Sequence, residues 1–256
     1  VPGGAALITG GAGGIGLAIA LRLQEEGWPV ILCDIDEAAL EKAQDACGGK
    51  ARTLALDVSD KDALEAAAQG FDEEGLTVSA LVNGAGLLQD VMTLEDLEPE
   101  RNRRIWEVNY FGALYCTQVF AGRMAAHGKG AVVNITSINE QRPLPLYAYA
   151  PTKVALGALT QLSAAEYGPS GVRVNAVAPG FTLTPLFKQK IEAGLRSTDA
   201  LESHCALGRL VVPAEIAAAV AFLLSNDASA ITGVSLPVDC GWLARSHHMN
   251  FHDLKA

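Results

Sequence analysis

Short apolar runs rich in Val, Leu and Ala alternate with longer segments of helical periodicity along nearly the whole chain. AALIT (5–9), PVILCD (29–34), RTLALDV (52–58), VSALVNGAG (78–86), AVVNITS (131–137), VRVNAVAPG (172–180) and VSLPVD (234–239) read as strands. Residues 14–27, 36–47, 60–74, 100–127, 148–167 and 213–225 read as helices. Such βα alternation predicts a parallel sheet with helices on both faces. The strands lack strict polar–apolar alternation, as expected when both their faces are buried. The expected fold class is therefore α/β, a doubly wound parallel sheet in a single domain spanning 1–256. Ligands in such a fold bind at the C-terminal ends of the strands.

Composition narrows the function. A net charge of -10 argues against nucleic acid or an anionic membrane surface, since both select basic patches. Five scattered cysteines form no C-x-x-C pair, which predicts reduced thiols and a cytoplasmic location. The opening VPGGAALITGG has no basic n-region and too short an apolar stretch for a signal peptide. No run reaches the ~18 apolar residues of a membrane span.

The first strand ends in TGGAGGIG, Thr9 to Gly16, and opens a helix. Glycines there permit a tight turn and close approach of a pyrophosphate, and the helix N-terminus offers N–H groups to that anion. A glycine cluster alone is a weak signal; its place between strand and helix strengthens it. The second strand ends at Asp34, about twenty residues on, where a carboxylate accepts hydrogen bonds from an adenosine ribose and repels a 2'-phosphate. Ile35, Asp36 and Glu37 supply no positive charge, so NAD is expected over NADP. Asp36 suits a helix N-cap better than Asp34 does. The third strand ends in Asp57-Val58, and Asp57 could simply cap the next helix. The fourth ends in Asn83-Gly84-Ala85-Gly86, whose glycines permit a backbone close to a ligand.

In YAYAPTK (147–153), Tyr149 and Lys153 have the i,i+4 spacing that puts them on one helix face; Tyr147 does not share it. An ammonium beside a phenol favours the phenolate, which suits general acid–base work on an alcohol. Pro151 is tolerable only in the first helical turn, which places Tyr149 near the helix start.

TGxxxGxG at 9–16, Asp34, NGAG, Asn109, Ser137 and Tyr149-x-x-x-Lys153 occur in one order, and together they resemble the short-chain dehydrogenase/reductase family, a Rossmann-like fold. VNAVAPGFTLTPL (174–186) and ITGVSLPVDCGW (231–242) resemble it too. The resemblance implies that Tyr149 is the acid/base and that Ser137 binds the substrate oxygen. It implies that Lys153 binds the nicotinamide ribose and lowers the tyrosine pKa, and that Asn109 holds a water linking Lys153 to solvent. Gly10, Gly14, Ile15, Gly16, Asp34, Asp57, Val58, Asn83, Ala85, Gly86, Tyr149 and Lys153 would hold NAD. Pro179, Gly180, Thr182 and Thr184 would position the nicotinamide carboxamide.

The sequence departs from the family pattern at Gly84 and at Cys240, where glycine is common. Eleven residues separate Ser137 from Tyr149, about one fewer than in many relatives, so Thr136 is an alternative hydroxyl. Residues 181–211 read as a lid over the substrate, and 243–256 as a tail. Gln141 and Arg142 are candidate substrate residues; His204, Arg245, His247 and His248 are weaker ones. Arg142 suits a carboxylate, which points to a hydroxy acid or sugar acid; the expected substrate is a small polar molecule of that kind or a polyol. His248 and His252 have metal-compatible spacing, but no carboxylate motif accompanies them, and no metal is expected. The helix at 148–167 is apolar around much of its circumference, which with the resemblance predicts a homotetramer. Two other functions fit the fold: a catalytically silent NAD-binding sensor or scaffold, and a ketoreductase of acyl-carrier-protein substrates. The full set of Asn109, Ser137, Tyr149 and Lys153 argues against the first, and Asp34 with the acidic surface against the second.

Overall fold

The computed structural model describes residues 3–90, 92–192 and 198–245. Seven strands form one sheet: β1 (Ala5–Thr9), β2 (Val30–Asp34), β3 (Arg52–Ala55), β4 (Val78–Asn83), β5 (Gly130–Ile135), β6 (Val172–Pro179) and β7 (Ser235–Val238). Their order is β3-β2-β1-β4-β5-β6-β7, and every pairing is parallel. The order reverses between β1 and β4, which opens the crevice where this fold binds ligands.

Both sheet faces are covered, as the lack of strict alternation predicts. Ala6, Ile8, Leu32 and Val82 pack on one side against Ile19 and Leu23 of helix α1 (Gly14–Glu25) and against Ile216 and Val220. Leu7, Ile31, Leu81 and Val132 pack on the other side against Leu64 and Phe71 of helix α3 (Lys61–Glu73) and against Phe120 and Met124. Successive residues of one strand thus feed two cores. Each such Leu or Ile contributes about 1.5–3 kcal/mol by leaving water. Pro237 sits in β7, an edge strand, where a missing N–H does no damage.

The helix starts follow local chemistry. Asp36 caps helix α2 (Glu37–Ala46) through the N–H of Ala39 at 3.0 Å. Asp60, not Asp57, caps α3 through Ala63 at 3.0 Å. The third strand stops at Ala55, short of the expected 58, and the chain turns so that Asp57 meets Arg104 of the long helix. That helix runs over 99–126 but contains two wide π turns, at Glu107–Gly112 and Thr117–Ala121. The catalytic candidates Tyr149 and Lys153 lie on the helix Tyr149–Tyr167, with Pro151 in its first turn. After β6, the segment 181–211, expected to act as a lid, is pinned at both ends: Leu183 N–H donates to Val211 (2.8 Å) and Val211 N–H to Phe181 (3.0 Å). Within it lie the helices Pro185–Glu192 and Asp199–Ser203. Among the described residues, no helix is long and apolar enough to cross a membrane.

Candidate active site

The loop after β1 is held by contacts that only glycine permits. Gly10 adopts φ +66°, and a Cβ there would lie 2.8 Å from the Gly84 carbonyl. A Cβ on Gly16 would lie 2.1 Å from the Gly10 carbonyl. Thr9 Oγ1 accepts from the N–H groups of Gly84 (3.1 Å) and Ala85 (3.2 Å), so the loops after β1 and β4 are laced together. No side chain caps the start of α1, which leaves its N–H groups and the positive end of its dipole to an anion. Residues 184 and 185 come up close to this loop, since a Cβ on Gly14 would lie 2.7 Å from Pro185 and 3.3 Å from Thr184.

Asp34 ends β2 beside the same loop. Its Oδ2 accepts from Ala12 N–H (3.2 Å), and its Oδ1 from Ile35 (2.9 Å) and Asp36 (3.3 Å). A carboxylate fixed this way retains lone pairs for a diol. Asp57 accepts from Ser59 and from Arg104 (2.5 Å). Burial raises its pKa, but the hydrogen bonds from Ser59 and Arg104 outweigh it, and the net direction is below the ordinary value. Val58 is buried against Gly112 of the long helix. Asn83 turns its side chain inward: Nδ2 donates to Asn134 (2.8 Å) and Thr117 (3.1 Å), so its amide braces the sheet below the groove. Ile15 and Ala85 are half-buried, and Gly86 is exposed at the groove. The arrangement suits a dinucleotide: small residues, open N–H groups and a terminal carboxylate in one crevice.

At the other end of the crevice, Pro179 closes β6, Gly180 packs on Asp239, and Thr182 Oγ1 donates to the Gly180 carbonyl (2.9 Å). Thr184 Oγ1 accepts from Phe187 N–H (3.3 Å) and so starts the first lid helix.

Ser137, Tyr149, Lys153 and Asn109 converge where β5, the long helix and the Tyr149–Tyr167 helix meet. Asn109 lies in the first π turn. Its Oδ1 accepts from Leu87 N–H (2.7 Å), and its Nδ2 donates to the Leu87 carbonyl (3.0 Å) and to Thr152 (3.3 Å). Lys153 is 5% exposed and donates to the Ile135 carbonyl (2.8 Å). Its Nζ stands 5.5 Å from the centroid of the Tyr149 ring. A Cβ on Gly86 would come 3.5 Å from Asn109 Oδ1 and 3.6 Å from Lys153 Nζ, so the loop after β4 rests directly on this pair. Thr136 turns away and donates to the Val177 carbonyl (3.1 Å), which leaves Ser137 as the hydroxyl on the Tyr149 side.

Two further residues shape the site. Asn139 donates to Ser137 Oγ from its backbone (3.2 Å) and from Nδ2 (3.0 Å), while its Oδ1 accepts from Leu144 N–H (2.9 Å). Both Ser137 lone pairs are thereby engaged, which leaves its proton to donate towards Tyr149. Gln89 Oε1 accepts from the N–H groups of Ala148 (2.7 Å) and Tyr149 (3.3 Å), and so caps the Tyr149–Tyr167 helix from 59 and 60 residues away in sequence. Nothing in the local sequence marks either residue, because their partners are set by loop paths rather than by spacing along one element.

The electrostatics depart from the expectation of a lowered tyrosine pKa. Tyr149 is half-buried as a residue, yet burial of its phenol pushes it up to about 12; a hydrogen bond from Ser137 works the other way. Burial pulls the Lys153 ammonium from 10.5 down to about 8. Desolvation is the leading cause of both shifts, and it outweighs the charge effect inferred from the i,i+4 spacing.

On the substrate side, Gln141 is exposed and Arg142 half-buried, just after the turn Ile138–Glu140. His204 is exposed, with Nδ1 3.3 Å from Ser203 Oγ. Arg245 donates to the Cys205 carbonyl (3.2 Å) and ties the end of the described chain to the lid. His247, His248 and His252 lie outside the described residues. Cys240 has φ +53°, the sole positive φ on a non-glycine among the described residues. Its place in a tight turn, where Asp239 accepts from Gly241 and Leu243, explains why glycine is common there.

A family model described as enoyl-(acyl carrier protein) reductase matches residues 10–243. The chain is 36% identical to cis-4-hydroxycyclohexanecarboxylate dehydrogenase of Sinomonas cyclohexanicum over 93% of this chain and 96% of that one. The chain belongs to the short-chain dehydrogenase/reductase family. An NAD+-bound xylitol dehydrogenase superposes with a TM-score of 0.87 at 30% identity, covering 93% of this chain and 98% of the other. A structure described as ribose-5-phosphate isomerase from Brucella melitensis 16M gives a TM-score of 0.89 at 40% identity, covering 95% and 93%. This short-chain dehydrogenase/reductase is thus an oxidoreductase by family, and its family works with nicotinamide cofactors.

Proposed function

We propose that this protein interconverts a secondary alcohol and a ketone with NAD, and that its substrate is a small polar molecule such as a hydroxy acid, polyol or sugar acid. The observation that carries the reading is the convergence of Ser137, Tyr149 and Lys153 at the end of a glycine-floored crevice. Bound NAD supplies the hydride acceptor. The chain does the rest. Ser137, aimed by Asn139, donates to the substrate oxygen. Tyr149 exchanges a proton with that oxygen, and Lys153 lies beside it to stabilise the phenolate. Asn109 fixes the loop after β4 over the lysine and, in its π turn, has a place from which to hold a water. Asp34, with no cation at 35–37, favours a free ribose diol and hence NAD over NADP. The cis-4-hydroxycyclohexanecarboxylate and xylitol dehydrogenases support an alcohol bearing further oxygens. Gln141 and Arg142, which follow the turn Ile138–Glu140, are the candidates to meet such groups.

Exposed Phe111, Val154 and Leu162 on the two helices that frame the site support a homotetramer, which light scattering would test. Reduced thiols and the acidic surface support a cytoplasmic location.

The test is turnover by the purified protein with NAD or NADP on secondary alcohols, polyols, hydroxy acids and sugar phosphates. Tyr149→Phe is expected to lose turnover at least a thousandfold and to bind NAD within threefold of wild type. Binding of NAD with no turnover on any substrate would favour a sensor instead. Activity confined to acyl-carrier-protein substrates with NADPH would favour the ketoreductase.

A further inference from the structure

We propose that Glu140 is a positioning residue for Ser137: its carboxylate, wedged between Gly157 and Ser235, sets how far the Ser137 hydroxyl stands from Tyr149. This rests on the alcohol–ketone reading above. Gly157 is buried in the middle of the Tyr149–Tyr167 helix, where glycine is a poorer helix former than any residue but proline. Its φ is not positive, so no unusual backbone angle calls for it. What calls for it is space. A Cβ there would lie 2.6 Å from Cδ of Glu140 and 2.9 Å from its Cγ. A loose side chain would swing aside from such a contact. Glu140 is not loose, because its Oε2 accepts from Ser235 Oγ of β7 at 2.7 Å.

Glu140 is also bound to Ser137. It ends the turn Ile138–Glu140, and its N–H donates to the Ser137 carbonyl at 2.9 Å. Tyr149, Lys153 and Gly157 follow one another at i, i+4 and i+8, so they lie along one side of the helix. Glu140 therefore rests on the side that carries Tyr149, about 12 Å further along the axis. One side chain joins three supports: the turn of Ser137, the helix of Tyr149 and the edge strand β7. Asn139 aims the hydroxyl, and Glu140 fixes its distance. A reacting group misplaced by about 1 Å loses roughly a hundredfold in rate, so such a spacer is felt in kcat.

Glu140→Ala, Gly157→Ala and the double variant separate this role from general support of the fold. The substrates are cis-4-hydroxycyclohexanecarboxylate and xylitol, each with NAD. Each single substitution should lower kcat about tenfold or more and leave the KM for NAD within about twofold. In the Glu140→Ala background the added methyl meets no carboxylate, so Gly157→Ala should change kcat there by less than about twofold. It should raise the melting temperature in that background, because alanine favours the helix. A low kcat in the stabilised double variant does not come from a loosened fold. Glu140→Gln keeps the shape and an acceptor for Ser235, and should hold kcat within about threefold of wild type. Equal losses from Gly157→Ala in both backgrounds, or full kcat in both single variants, would overturn the proposal. So would a rise in the KM for NAD that matches the fall in kcat.

Crystal structures of wild type and the two single variants give a readout that needs no turnover. Ser137 Oγ should move by about 0.5 Å or more relative to the Tyr149 ring. Such a movement, in a protein whose wild type oxidises none of the alcohols tested, would support Glu140 as the spacer and refute the proposed reaction. An unmoved Ser137 would overturn the role of Glu140 whatever the turnover, and turnover by wild type would then leave the reaction standing without it.

Discussion

Replacing Lys153 with methionine should change how stability depends on pH, and the size of the change follows from the burial of one ammonium. Lys153 is nearly enclosed, and burial lowers its pKa from 10.5 to about 8. Below pH 8 it is protonated in both the folded and the unfolded chain, and the cost of burying the charge is constant. Between pH 8 and 10.5 the unfolded chain binds more protons than the folded one, so stability rises with pH. With 1.36 kcal/mol per pKa unit, the gain from about pH 7 to about pH 9.5 comes to about 2 kcal/mol. Tyr149 has the opposite sign: raised from 10.0 to about 12, it costs stability only as pH climbs above 10, outside this window. The buried thiols Cys33 and Cys116 titrate upward in both proteins and cancel in the comparison. The assay is urea unfolding of wild type and Lys153→Met without cofactor, at both pH values and one protein concentration. Wild type should gain about 2 kcal/mol on the variant across the window. A difference that stays constant within about 0.5 kcal/mol would refute the picture of a desolvated ammonium.

Two further outcomes follow from the site. Asp34→Ala combined with Ile35→Arg should shift the NAD to NADP ratio of kcat/KM at least tenfold towards NADP; an unmoved ratio would remove Asp34 from cofactor choice. Asn139→Asp keeps an acceptor for Leu144 and the backbone N–H to Ser137 but replaces the side-chain donor with a carboxylate oxygen, so kcat should fall about tenfold or more, with the melting temperature and the KM for NAD little changed. Retention of full kcat would show that Ser137 needs no such aim.

The sheet was legible because each strand is an apolar run bounded by glycine or by a helical period, and all seven runs form strands. Thr9 to Gly16, Asp34 and Tyr149-x-x-x-Lys153 were legible for a related reason: each motif lies within one turn or one element, so spacing encodes geometry. Where contacts cross between loops, spacing says nothing. Gln89 and Asn139 act on residues in other loops. The early end of β3 reflects Arg104 drawing Asp57 out of strand geometry. The π turns of the long helix, which set the angle of Asn109, leave no mark on hydrophobic periodicity. The tyrosine pKa lies on the other side of its ordinary value from the expectation because burial of the phenol raises it, and i,i+4 spacing says nothing about how deeply a ring is buried.

The paired amides of Asn83 and Asn134 have a consequence for folding fidelity. They stand opposite each other in β4 and β5, with Thr160 accepting from Asn134 at 2.9 Å. Neighbouring positions on these strands are Val, Leu and Ala, which would tolerate sliding by two residues with little loss of apolar contact. The amides would not: a slipped strand would strand two of them among aliphatic side chains. They work as a key that admits a single alignment, and that alignment sets the relative height of the strand ends carrying Gly86 and Ser137. The levelling of the reaction centre is thus decided inside the sheet, before either loop is formed.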